Sequence, residues 1–289
     1  MNWKTVGIAT VAVLCVIGLG GTGYGIYKII QSLMREQESA PMAEDRARCN
    51  SNNPDVSIPG CTAILASKSA QDADRIYAHY QRGLSYERKG DFDLAIQDDT
   101  QVIQANPRES MAYNNRGFAY QRKGDLDHAI DDYNHAIQIF PEQDIAWFNR
   151  SSVYKLKGDY SHAIDDLSQV IKREPKNPIA WNDRCYYRAI AGQLDDALTD
   201  CNQSLQLKSG VGATLDSRAF TYLKMGKYDL AIADYDHAIQ VDNRRAPYLY
   251  GRGLARRAQR DETGSKQDID AALQIDPKIV DEFQKYGVR

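Results

Sequence analysis

The side chains best suited to chemistry cluster around His128. His128, Asp131, Asp132 and His135 fall within eight residues, and at helical spacing His128, Asp131 and His135 share roughly one face. Imidazole and carboxylate donors grouped this way suit a divalent metal. The same positions recur, however: His162 lies 34 residues after His128, and His237 repeats the position of His135. Such recurrence marks a solvated outer face, so no metal site is assigned. Gly18-Leu19-Gly20-Gly21-Thr22-Gly23 formally matches a dinucleotide fingerprint, but it lies in an apolar run without the strand–turn–helix context that holds a pyrophosphate. The chain carries no P-loop, no nucleophile elbow and no credible Ser–His–Asp set. Neither a cofactor nor enzymatic activity is therefore expected.

The cysteines are the other reactive groups. Cys49 and Cys61 bracket a polar, proline-bearing loop, Asn50 to Gly60, and a bridge between them is favoured. Cys185 and Cys201 fall on two facing helices close enough for either a disulfide or a pair of small buried hydrophobes, and both states stay open. Two plausible pairs behind an export-type segment point to an oxidising compartment.

That segment runs from Thr5 to Ile30 with one charge, Lys28. About 20 apolar residues cross a bilayer as a helix, so a retained anchor over residues 1–35 is expected. The alternative is a signal segment that is cleaved to release a secreted protein; against cleavage, no A-x-A pattern follows. Gly21 and Gly25 have the spacing of a membrane-helix pairing face. Lys4 and the amino terminus on one side nearly balance Lys28 and Arg35 on the other, so charge does not set the orientation. Residues 36–75 read as a linker, Glu36 to Asp45, followed by a Cys-bracketed half-repeat. A net charge of −3 over 289 residues argues against a nucleic-acid partner, which demands a basic face.

The elements that must position these residues repeat at a fixed interval. Gly90, Gly124, Gly158, Gly192 and Gly226 are each 34 residues apart, and so are Ala95, Ala129, Ala163, Ala197 and Ala231. Within Ser110 to Gln143, Tyr113, Gly117 and Tyr120 recur at helical spacing. Gly124 then stops that helix, because glycine takes the left-handed conformation cheaply, and Asp125 caps the next one. Ala129, Tyr133 and Ala136 mark the second helix's inner face, and Pro141 ends the unit. One such hairpin hides only half of its apolar surface and needs neighbours.

Segments such as Tyr113-Asn114-Asn115-Arg116-Gly117-Phe118-Ala119-Tyr120 and Gly124-Asp125-Leu126-Asp127-His128-Ala129 resemble the tetratricopeptide repeat (TPR) family. The units are Ile76–Glu109, Ser110–Gln143, Asp144–Asn177, Pro178–Val211, Gly212–Arg245 and Ala246–Ile279. The sixth departs from the pattern at Arg260 and Ser265, and with residues 280–289 it reads as a C-terminal cap. The resemblance implies an all-α, right-handed solenoid of six helix hairpins, and the apolar run Thr5–Ile30 places a single transmembrane helix before it. It also implies a concave groove lined by the first helix of each unit. The positions that match are Tyr77, Tyr80 and Leu84, then Met111, Asn114, Phe118 and Gln121. Ile145, Phe148, Ser152 and Lys155 follow, then Asn182, Tyr186, Asp216, Phe220 and Tyr250. The lysine and second asparagine of the family's carboxylate clamp are missing, so chaperone-tail binding is not expected. Tyr86, Tyr120, Tyr154 and Tyr222 share one packing position and are read as structural.

Two charge columns run unbroken: Arg82, Arg116, Arg150, Arg184, Arg218 and Arg252, and Asp98, Asp132, Asp166, Asp200, Asp234 and Asp268. They read as a ladder fixing each hairpin. The expected function is a scaffold that holds proteins or peptides beside the membrane, with the repeats facing the periplasm from a bacterial inner membrane. The alternative is an architectural envelope protein that self-associates into a homo-oligomer and takes no outside ligand.

Overall fold

The computed structural model describes residues 42–288, so the expected membrane segment Thr5–Ile30 lies outside the described residues. Among the described residues there are helices and no strand, and no helix is long and apolar enough to cross a membrane. Helix α1 covers residues 42–49 and α2 covers Pro54–Ala66. Then come α3 (Asp72–Lys89), α4 (Phe92–Ala105), α5 (Ser110–Lys123), α6 (Leu126–Ile139), α7 (Asp144–Lys157), α8 (Tyr160–Arg173) and α9 (Pro178–Ala191). The series closes with α10 (Leu194–Leu207), α11 (Gly212–Lys224), α12 (Tyr228–Val241), α13 (Ala246–Ala258), α14 (Glu262–Ile275) and the short α15 (Ile279–Lys285). The odd-numbered helices from α3 to α13 are the first, or A, helices of the repeats; the even-numbered ones are the B helices. The chain divides into two compact units, one up to Ala119 and one from Tyr120 onward.

In the first unit, a disulfide joins Cys49 at the end of α1 to Cys61 in α2, with the Cα atoms 4.5 Å apart. The stretch expected as a loop, Asn50 to Gly60, turns helical from Pro54. The reason is local: Asn53 accepts a hydrogen bond from the Asp55 amide at 3.0 Å, and proline at the first helical position gives up no bond. Residues 42–45, expected as linker, are likewise helical. Behind this pair, Val102, Ile103 and Ala112 form a core with Ile76, Tyr80 and Tyr113 around it.

In the second unit, Gly124, Gly158, Gly192 and Gly226 end their A helices with φ between 72° and 84°. Arg260, which replaces the glycine in the sixth repeat, adopts the same left-handed turn at φ 68°, a conformation that costs a side-chain-bearing residue about 1 kcal/mol or more. Asp125, Asp159 and Asp261 cap the B helices that follow by accepting from the amides of His128, His162 and Gly264. Cys185 in α9 and Cys201 in α10 are joined by a second disulfide, with Cα atoms 5.3 Å apart.

The charge columns form forked pairs. Nε and Nη2 of Arg82, Arg150, Arg184, Arg218 and Arg252 donate to both carboxylate oxygens of Asp98, Asp166, Asp200, Asp234 and Asp268, at 2.6–2.9 Å. Each arginine also reaches backward. Nη1 of Arg116, Arg150, Arg184, Arg218 and Arg252 donates to Thr100, Asn134, Ser168, Asn202 and Asp236, always 16 residues earlier. Arg150, Arg184, Arg218 and Arg252 therefore tie their A helices both to their own B helices and to the B helix of the preceding repeat. Arg82 makes the same backward bond to Thr62, which is 20 residues earlier. That places α2 in the position of a B helix, with a connection four residues longer (20 − 16). Burial pushes the Asp98 and Asp166 carboxyls up, and the partners decide the outcome. Arg82 and His79 together outweigh burial at Asp98 and hold its carboxyl below the ordinary value, whereas at Asp166 burial prevails over Arg150 and His162 and the carboxyl stays raised.

Candidate partner-binding face

The A helices carry the groove positions, and the two units present them differently. In the first unit, Tyr77 packs beside Cys49, Cys61, Ile64 and Ala78. It also lines a cavity of about 340 Å3 with Arg46, Ala73 and Asp74. Tyr80 is half-buried against Val102, Ile103 and Ala112; burial raises its hydroxyl, which bonds Asn115. Leu84, Met111 and Phe118 are partly exposed. Asn114 is 3% exposed and donates to Asn115 at 3.4 Å, so it is a packing residue rather than an open groove contact. The sequence reading missed Glu87, one turn beyond Leu84 on the same helix. Burial pushes its carboxyl up to about 7, with Arg88 opposing.

In the second unit, Gln121 accepts from the Tyr133 hydroxyl at 3.0 Å. Ile145 stands 46% exposed, and Ile179, at the same position one repeat later, stands 63% exposed. Ile179 was absent from the expected groove, although its 34-residue offset from Ile145 was the available signal. Phe148 is partly covered, packed between the Ala163–Ile164–Leu167–Tyr187 cluster and the Val170–Ile171–Ala180 cluster. Asn182 donates to Asp183 at 3.1 Å. Burial raises the Asp183 carboxyl, with Asn182 and Lys155 acting the other way. Ser152 bonds the Tyr187 hydroxyl, which burial pushes well up. This stretch thus carries two exposed isoleucines, and its polar groups include Ser152, Lys155 and Asp183.

The last three repeats differ, because the chain covers them itself. Phe283 and Tyr286, from α15 and the turn after it, sit on the expected anchors. Ring centroids lie 4.9 Å apart for Tyr250–Phe283, 5.7 Å for Phe220–Phe283, 6.2 Å for Phe220–Tyr286 and 6.0 Å for Tyr186–Tyr286. Phe220 is left 2% exposed and Tyr250 7%. Tyr186, Phe220 and Tyr250 are therefore not open groove residues, as the repeat pattern had suggested, but the seat of the C-terminal segment. Asp216 lies in the same region, where burial and Glu282 push its carboxyl up to about 7 against the pull of Arg245.

The histidines are engaged locally. His128 and His162 hold the capping residues Asp125 and Asp159 at 2.8 and 2.6 Å, and stack on Tyr120 and Tyr154 at 5.1 and 5.0 Å. Among the described residues, no group of three or more His, Cys, Asp or Glu is arranged to hold a metal.

Comparison with known proteins matches this geometry. Models of the tetratricopeptide repeat match residues 110–143 in one version, and residues 76–109, 145–177 and 214–245 in another. A tetratricopeptide repeat protein from Parabacteroides merdae superimposes with a TM-score of 0.68 at 18% identity, over 88% of this chain and 100% of that one. The C-terminal part of a TPR repeat-containing protein from Cytophaga hutchinsonii gives 0.64 at 18% identity, over 82% and 95%. YrrB, described as a TPR protein with an unusual peptide-binding site, gives 0.51 at 18% identity, over 63% and 94%. No curated protein matches the chain.

Proposed function

The chain is a tetratricopeptide repeat protein, and from that premise we propose that it holds another protein or peptide on its A-helix faces. The observation that carries this is the pair Ile145 and Ile179, exposed in register on successive A helices. Solvent-facing aliphatic side chains that align across repeats suit a partner's apolar anchors. YrrB offers a parallel, since a peptide-binding site is described for a TPR protein of related fold. On this reading the protein acts by non-covalent contact and without catalysis.

Place in the cell belongs to the same proposal. The apolar run Thr5–Ile30 and two disulfides fit a chain anchored in a bacterial inner membrane with its repeats in the oxidising periplasm. Alkaline extraction of membranes tests the anchor: recovery of the full-length chain in the soluble fraction would count against it.

The function is tested by Ile145→Asp combined with Ile179→Asp, compared with Leu94→Asp on a B helix, by pull-down after crosslinking in cells. The groove pair should lose a partner that the wild type and Leu94→Asp retain, with the circular dichroism spectrum unchanged. Equal capture by all three sinks the proposal. Light scattering of the repeats covers the rival architectural role, for which the chain would associate only with itself.

A further inference from the structure

The segment that covers the last three repeats is built like a ligand. Ile279, Phe283 and Tyr286 are spaced i, i+4 and i+7, and are 0%, 4% and 8% exposed; this is the anchor pattern of a helix lying in a groove. Its seat is made of A-helix positions that recur in the other repeats. Tyr186 and Phe220 stand where Leu84, Phe118 and Ser152 stand earlier, and Tyr250 stands where Tyr80 and Phe148 do.

The fastening is local. Helix α15 has seven residues, too few to hold helical form alone in water, so docking and folding of the segment are one event. Among the described residues, none of its charged side chains forms an ion pair with the repeats, whose own A and B helices are held by Arg–Asp forks. Lys224 secures the far end by donating to the carbonyl oxygens of Tyr286 and Ile190, each at 3.0 Å. Glu282 lies beside Asp216, a like-charged neighbour that gains nothing from the contact.

We propose that residues 279–288 are an intramolecular ligand of the Tyr186–Phe220–Tyr250 seat, and that the ligand they hold off is a short helical peptide presenting two aromatic side chains three residues apart. This rests on the A-helix faces being the partner-binding surface, and it names the chemistry that the C-terminal half of that surface accepts. A tethered competitor acts at an effective concentration of about 1 mM. A segment whose intrinsic Kd is about 0.1 mM or lower then makes a competing peptide bind the intact chain tenfold or more weaker than a chain whose own segment cannot dock.

The probe is a fluorescein-labelled peptide of residues 277–289, titrated by anisotropy against the full chain and against full-length Phe283→Ala/Tyr286→Ala. The double variant should bind the peptide at least tenfold tighter than the wild type, and a peptide carrying the same two alanines should bind neither. A folded variant that takes the peptide no better than the wild type overturns the proposal. If the variant misfolds, hydrogen exchange on the wild type decides. Amides of residues 281–286 that exchange at least tenfold faster than those buried in α13 support a segment that opens alone, and exchange only with global unfolding makes it a fixed cap. Light scattering that shows exchange-linked dimers would assign the seat to a second copy and overturn the intramolecular assignment. Ile145 and Ile179 are untouched by the variant, so failure here leaves the capture experiment on those residues to stand or fall separately.

Discussion

Removing Asp166 tests whether the charge columns hold the repeats together. Its side chain is 4% exposed and that of Arg150 is 15% exposed, so the pair is largely withdrawn from water. Asp166→Leu leaves the Arg150 guanidinium with Asn134 and with the rings of Trp147 and Tyr154, at 5.0 and 5.7 Å. An exposed pair contributes at most about 1 kcal/mol, whereas stranding one member of a buried pair costs about 3 kcal/mol or more. For a chain of this size that loss lowers the melting temperature by about 6–12 °C. Arg150→Leu should cost a similar amount, because it strands a carboxylate that burial already raises. The double Arg150→Leu/Asp166→Leu variant should return to within about 1 kcal/mol of the wild type, as buried pairs replaced by apolar residues often do. Urea unfolding of the four proteins completes the cycle, with an expected coupling of about 5 kcal/mol or more. Single losses below about 1 kcal/mol that simply add would refute the buried-staple account.

Three further outcomes follow from the same geometry. Reducing the Cys185–Cys201 bridge, which closes a separation of 16 residues, should cost about 3 kcal/mol, read as a lower urea midpoint in dithiothreitol that Cys185→Ser/Cys201→Ser reproduces. Gly251→Ala would place a Cβ 2.2 Å from the hydroxyl oxygen of fully buried Tyr235 and should destabilise by about 1–3 kcal/mol, visible in thermal melts. Docking of the C-terminal segment should strengthen as pH falls below about 7. The Asp216 carboxyl, raised to about 7 mainly by burial, faces Glu282, Arg245, Tyr186, Tyr235 and Tyr248. Undocking removes Glu282 and part of the cover over Asp216, so the docked state holds this proton more tightly than the open one. Docking therefore strengthens as pH falls below about 7 and is flat above it; exchange protection of α15 at pH 5 and pH 7 measures it, and Asp216→Asn should abolish the change.

The repeat was legible because its signals are local and recur. Gly124 and Asp125 announce a left-handed turn and a cap from their own backbone chemistry, and both occur as expected. The Arg–Asp pairing was legible as a column, but the third bond of each arginine was not, since a backward reach to Thr, Asn, Ser or Asp has no single residue type to mark it. Helix α2 was hidden by the polar run Asn50–Asn53, which looks like a loop until Asn53-Pro54 is read as a cap followed by a first helical turn. The covered seat was the largest miss at the site. Repeat logic places Tyr186, Phe220 and Tyr250 on an A-helix face but says nothing about a seven-residue helix outside the period. The spacing of Ile279, Phe283 and Tyr286 was the one clue that this segment had a groove to fill.

The central claim, that the A-helix faces meet the partner, is tested most directly by a photo-crosslinking amino acid placed at Ile179 and, for comparison, at Leu230. Both side chains are exposed, 63% and 48%, but Ile179 lies on an A helix and Leu230 on a B helix. Irradiation in cells should join the Ile179 chain to a distinct second protein that the Leu230 chain does not capture. Equal capture from both positions, or crosslinks only to further copies of the same chain, would contradict it.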